Sequence, residues 1–86
     1  MARKITLAVL QSALTDDSAT NIKRVSELLR EAASKGADVI LPSELFEGHY
    51  FCTSQEETNF ARAHAWRESP AVLAMAKLAA EPNVVI

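Results

Sequence analysis

The chain has 86 residues, about half of them apolar and under a quarter charged, with a formal net charge of −2. That balance is globular rather than disordered, and with acids and bases mixed along the chain no basic run offers a footprint for nucleic acid or an anionic membrane. Cys52 is the only cysteine, which excludes an intrachain disulfide; no apolar stretch approaches the ~18 residues of a membrane helix, no signal-peptide pattern opens the chain, and a cytoplasmic protein is expected.

Ile5 to Leu10 is almost continuously apolar. It is expected to form a strand buried on both faces, as in a parallel or mixed sheet. Thr15-Asp16-Asp17-Ser18 then supplies turn chemistry and candidate helix caps. Ile22, Val25, Leu28, Leu29, Ala32 and Ala33 recur at helical spacing, with Lys23, Arg24, Glu27, Arg30 and Glu31 on the opposite face. Gly36 is placed to end that helix, because it takes the left-handed conformation without steric cost.

Ala37 to Leu41 reads as a second strand, stopped by Pro42, which has no amide hydrogen for the ladder. Strand, helix and strand in this order make a βαβ unit. Thr53 or Ser54, with Glu56 and Glu57 at capping-box positions, predicts a short helix. A loop follows around residues 65–68, and Ser69-Pro70 resembles an N-cap with proline at the first helical position. Val72, Met75, Ala76 and Ala79 give that helix an apolar stripe. Pro82-Asn83 breaks it, and Val84-Val85-Ile86 looks like the first half of a third strand. The expected order is β-α-β-α-α-β. The last residues lie inside an apolar run, and two or three parallel strands need cover on both faces, so more chain is expected to follow. A small, complete α/β domain is the other reading.

The run Leu41-Pro42-Ser43-Glu44-Leu45-Phe46-Glu47-Gly48-His49-Tyr50-Phe51-Cys52 is the sharpest local feature. Glu44 follows the carboxyl end of the second strand, the edge at which clefts form in open α/β sheets. Apolar neighbours such as Leu41, Leu45 and Phe46 would partly desolvate it and favour proton transfer. Taken alone, the pattern fits a solvated or capping carboxylate as well.

That run resembles the first catalytic segment of the nitrilase superfamily of carbon–nitrogen hydrolases, in its N-carbamoylputrescine amidase branch. The order and spacing of Val9-Leu10-Gln11, of Asn21, of Ala32-Ala33-Ser34-Lys35-Gly36-Ala37 and of the closing residues 78–86 agree with it. The string Glu44-Leu45-Phe46-Glu47-Gly48, followed by Tyr50-Phe51-Cys52, is its narrowest part. Many superfamily members place proline directly before the glutamate; here Ser43 intervenes.

The resemblance implies a nitrilase-like α-β-β-α sandwich. Residues 1–86 would be the amino-terminal, incomplete part of a single carbon–nitrogen hydrolase domain. It also implies a Cys–Glu–Lys set acting on a ureido or amide substrate, with no metal or organic cofactor, and subunits that pair into a homo-oligomer. By position Glu44 would be the general base and acid. The nucleophile and the lysine would lie beyond Ile86, so this chain alone is expected to be inactive. Tyr50 is the candidate wall of the substrate pocket, with a core aromatic as its alternative. Glu47 is either a partner for a distal ammonium or a carboxylate that organises the loop. Cys52 is expected to be a small buried hydrophobe, Lys77 solvated, and His49 and His64 surface or loop residues. Trp66 is expected in packing or an oligomer contact.

Two further functions compete with the amidase. One is a β-ureidopropionase or ω-amidase of the same superfamily, distinguished by a distal carboxylate on the substrate. The other is a non-catalytic α/β interaction module that uses its sheet edge or the Tyr50–Phe51 region.

Overall fold

A computed structural model describes residues 3–86. The first strand is β1 (Leu7–Val9), followed by helix α1 (Ser18–Ser34) and strand β2 (Val39–Leu41). Two 3-10 turns, Phe51–Thr53 and Glu57–Arg62, lead to helix α2 (Pro70–Ala80). β1 and β2 pair in parallel with Leu7 opposite Val39, Ala8 opposite Ile40 and Val9 opposite Leu41. Val85 adds a single parallel bridge to Val39, held by Ile40 N–H to the Val85 carbonyl at 2.8 Å and Val85 N–H to the Asp38 carbonyl at 3.0 Å. The expected third strand is thus represented by one bridge on the far side of β2.

Both helices begin and end where their sequences direct. Asp17 caps α1 by accepting from the Thr20 amide at 3.3 Å and from the Thr20 hydroxyl. At the other end Gly36 takes φ +93°. Its amide reaches the Ala33 carbonyl at 3.0 Å and the Ala37 amide reaches that of Ala32 at 3.1 Å, the paired bonds of a Schellman motif. Ser69 caps α2 by accepting from the Val72 amide at 3.3 Å, with Pro70 at the first helical position. After α2, Asn83 adopts φ +57° and lets the Val84 amide return to the Ala79 carbonyl at 3.0 Å.

Leu10, Val25, Leu29, Ala37, Ile40, Phe46, Ala71 and Leu78 form the core, with Ile22, Leu28, Ala32 and Ala33 packed against it. Phe46 brings the segment after β2 into this core. In α2 the buried positions are Ala71 and Leu78, with Met75 partly buried between them, while Val72 is 42% exposed. The expected stripe is therefore rotated. Ala71, Met75 and Leu78 fall at i, i+4 and i+7 on one face, and the longer apolar side chains of this very apolar helix do not decide which face turns inward.

Two other expectations are corrected. β1 is not buried on both faces among the described residues. Ala8, Leu10 and Ile40 turn toward α1, whereas Leu7 and Val9 are 71% and 76% exposed and Leu41 is exposed beside them. Strand residues alternate sides, and here only one side of the sheet is covered. The capping-box helix is replaced by the 3-10 turn Glu57–Arg62, whose start carries no side-chain cap. With no buried residue in that turn, nothing repays the fixing of a longer α-helix.

Candidate active site

Glu44 opens the turn that leaves β2. Three features set its position. Before it, the Ser43 hydroxyl donates to the Leu10 carbonyl at 3.3 Å, tying the ends of the two strands together. After it, Leu45 takes φ +54°, a left-handed conformation rare for a branched side chain. Phe46 then anchors the turn in the core at 9% exposure. Backbone strain of this kind persists only where surrounding packing over-determines it, and the buried Phe46 supplies that packing.

The Glu44 side chain is exposed. The desolvation expected from Leu41 and Leu45 is not delivered by these residues, because both are themselves exposed, at 62% and 40%. The carboxylate acts on its neighbour Tyr50 instead. The Glu44 charge pushes the Tyr50 phenol above its ordinary 10.0, with the Cys52 side chain adding to the effect. An anion beside a phenol disfavours the phenolate. Glu44, Tyr50 and Cys52 therefore share one electrostatic neighbourhood.

Tyr50 is 51% exposed, so it is not a core aromatic in this chain. Cys52 is also exposed, contrary to the expectation of burial. It lies in the turn Phe51–Thr53, which buries no residue, and it lines an open apolar groove of about 770 Å³ with Leu45, Phe51 and Phe60. Lys77 is solvated, as expected, with Glu81 at 3.9 Å beside it. Trp66 is exposed and carries the Arg67 guanidinium 4.8 Å above its ring, so its packing is local rather than in the core.

Glu47 organises the loop. Its carboxylate accepts from the Ser18 hydroxyl at 3.3 Å and the Ser69 hydroxyl at 3.4 Å. Ser18 is the first residue of α1 and Ser69 the cap of α2, so one negative charge faces the amino ends of both helices, where helix dipoles favour it. A second tie crosses the same loop. Arg62 meets Asp16 at 3.1 Å, over Gly48, where an added Cβ would lie 2.9 Å from Arg62 Nη1 and 3.3 Å from Asp16 Oδ1. Arg62, and after it His49, hold the Asp16 carboxyl below its ordinary value. A cleft of about 370 Å³ lies beside these groups, with Glu47, His49, Arg62 and His64 on its wall.

Three contributors are not among the candidate site residues that the sequence points to. Asn21 is 1% exposed. Its side chain accepts from the Thr15 amide at 2.9 Å and the Thr15 hydroxyl at 3.0 Å, and donates to the Thr15 carbonyl. This fixes the segment that presents Asp16. The Asp16–Arg62 and Ser43–Leu10 contacts join residues 46 and 33 positions apart, which no short-range pattern announces. Among the described residues no group of three His, Cys, Asp or Glu is arranged to hold a metal ion, and no helix is long and apolar enough to cross a membrane.

Residues 6–86 match the family model of carbon-nitrogen hydrolases. The chain is 46% identical over 84 residues to an N-carbamoylputrescine amidase of Arabidopsis thaliana and 48% identical over 84 residues to one of Solanum tuberosum, in each case over 98% of its own length. It is 35% identical over 82 residues, 95% of its length, to a citrullinase of Francisella tularensis. It spans 28% of the two amidases and 29% of the citrullinase. With the family model matched from the first strand to the last residue, and with a glutamate-bearing turn leaving a parallel strand, the chain belongs to the carbon–nitrogen hydrolase family.

Proposed function

We propose that the protein carrying this chain hydrolyses N-carbamoylputrescine to putrescine, carbon dioxide and ammonia, a step of polyamine biosynthesis. The observation that carries the reading is the 46% and 48% identity, over 98% of the chain, to proteins named N-carbamoylputrescine amidases. The placement of Glu44 at the carboxyl end of a parallel strand supports it, since that edge hosts the clefts of α/β enzymes.

In this reading Glu44 is the general base and acid of a Cys–Glu–Lys set whose cysteine and lysine come from outside these residues. It takes the thiol proton as sulfur attacks the carbamoyl carbon, and returns it to the leaving amine as the carbon–nitrogen bond breaks. It then takes a proton from the water that hydrolyses the S-carbamoyl intermediate and returns it to the departing thiolate, releasing carbamic acid, which breaks down to carbon dioxide and ammonia. The lysine offsets the charge on the tetrahedral oxyanion. Tyr50, beside Glu44, lines the substrate pocket. No metal or organic cofactor is called for. Cys52 is not the nucleophile: it belongs to the glutamate loop itself.

The exposed Leu7, Val9 and Leu41 support a further element of the reading, a second layer closing over the open face of the sheet in an α-β-β-α sandwich. Closure of that kind would also dry the surroundings of Glu44. Subunit pairing and a cytoplasmic location belong to the same proposal. Turnover by the complete protein of N-carbamoylputrescine against N-carbamoyl-β-alanine tests the substrate: the first ends in an ammonium, the second in a carboxylate. Preference for the carboxylate compound would move the protein to the β-ureidopropionases.

A further inference from the structure

Leu10 lies one residue past β1, and both of its backbone polar groups are held by the segment that leads to Glu44. Its amide donates to the Leu41 carbonyl at 2.9 Å, one step beyond the Val9–Leu41 pairing. In a parallel ladder the bonds are evenly spaced, so the next rung would bring a donor of residue 43 to the Leu10 carbonyl. The donor found there is the Ser43 hydroxyl, at 3.3 Å. Pro42 lies between the donors of this ladder, and its missing amide hydrogen falls on the side of β2 that faces Val85, where Ile40 donates. The side chain of Ser43 thus continues the pairing by one rung while its backbone turns away from the sheet.

Leu10 is 9% exposed, and its bond to Ser43 is part-buried. Removing the donor from a part-buried acceptor costs free energy, so the bond favours one placement of the Ser43 backbone. On the other side of Glu44, Phe46 is buried in the core and Leu45 is held in the left-handed region. Glu44 therefore stands between two fixed points, one a hydrogen bond and one a packed ring.

We infer that Ser43 is a positioning residue for Glu44, setting the direction in which the carboxylate leaves the sheet edge through its bond to Leu10. The inference rests on the amidase reading, in which Glu44 moves the protons. Displacement of a reacting group by about 1 Å is enough to cost roughly a hundredfold in rate, so a single bond next to the acid–base group has leverage on turnover without touching substrate.

The test uses the complete protein and N-carbamoylputrescine. Ser43→Ala should lower kcat roughly ten- to a hundredfold with KM nearly unchanged, and Ser43→Thr, which keeps the hydroxyl, should restore most of it. Ser43→Asn keeps a donor but changes its reach. It should also lower kcat, and it serves where Ser43→Ala does not fold. Wild-type kcat in Ser43→Ala or Ser43→Asn, or a loss carried by KM that Ser43→Thr does not relieve, would overturn the inference. Glu44→Gln, measured alongside, separates the two levels. If Glu44→Gln is inactive and Ser43→Ala is fully active, the positioning role alone fails; if Glu44→Gln is fully active, Glu44 is removed from the mechanism and the inference goes with it, while absence of hydrolysis by the parent removes the amidase reading itself.

Discussion

Arg62 and Asp16, 46 residues apart in the chain, meet at 3.1 Å across the backbone of Gly48. The pair fastens the turn Glu57–Arg62 to the segment that caps α1 and closes over the loop carrying Glu44 and Tyr50. Asp16 is held below its ordinary 3.8 chiefly by Arg62. A carboxyl lowered in the folded state contributes stability that is fully present above the unfolded pKa and is lost as pH falls through the folded pKa. The pair should therefore be intact at neutral pH and fail only in acid below the ordinary carboxylate range. In Arg62→Ala, carboxyl NMR titration should move Asp16 back up toward 3.8. An unmoved midpoint would show that the ion pair does not form in solution.

Gly48→Ala should break the same pair by steric means. The added methyl would lie 2.9 Å from Arg62 Nη1 and must push that side chain aside. Because the obstacle is the end of a flexible side chain, the fold should survive, with the Asp16 titration shifted upward as in Arg62→Ala. A Gly48→Ala protein with an unchanged Asp16 midpoint would contradict the close approach.

Tyr50 reports on Glu44. The phenol is raised mainly by the Glu44 charge, so Glu44→Gln should lower the Tyr50 midpoint toward 10.0, as read by NMR of labelled tyrosine. The sign follows from removing an anion that disfavours the phenolate. A midpoint that stays put would separate the two side chains in solution.

Glu47 separates a loop-organising role from substrate binding. Its bonds to Ser18 and Ser69 join the starts of both helices, so Glu47→Ala should cost about 1–3 kcal/mol in unfolding free energy. Glu47→Gln, which retains an acceptor oxygen, should cost less and leave KM near the wild-type value. A large rise in KM for a cationic substrate in Glu47→Gln, without loss of stability, would instead make Glu47 the ammonium partner.

Much of the scaffold was legible in the sequence because its signals are local. Asp17, Gly36, Ser69 and Pro70 sit at helix ends for reasons contained in one turn of chain, and the spacing of Val25 and Leu29 specifies which side of α1 is buried. Glu44 was placed at a strand end by Pro42 alone. What failed depended on partners. Burial of both faces of β1 was read from its composition, but a strand cannot state whether anything covers its second face. Residue type alone suggests a buried Cys52, yet the turn around it buries no residue. The ties that shape the loop, from Ser43, Glu47 and Arg62, join distant residues and leave no periodic trace.

The most direct test is turnover of N-carbamoylputrescine by the complete protein and by its Glu44→Gln variant, with folding checked by circular dichroism. The parent should release putrescine, and kcat should fall roughly a thousandfold in the variant through loss of the general acid–base group. Near-equal turnover by the two folded proteins, or no hydrolysis of this substrate by the parent, would contradict the proposed function.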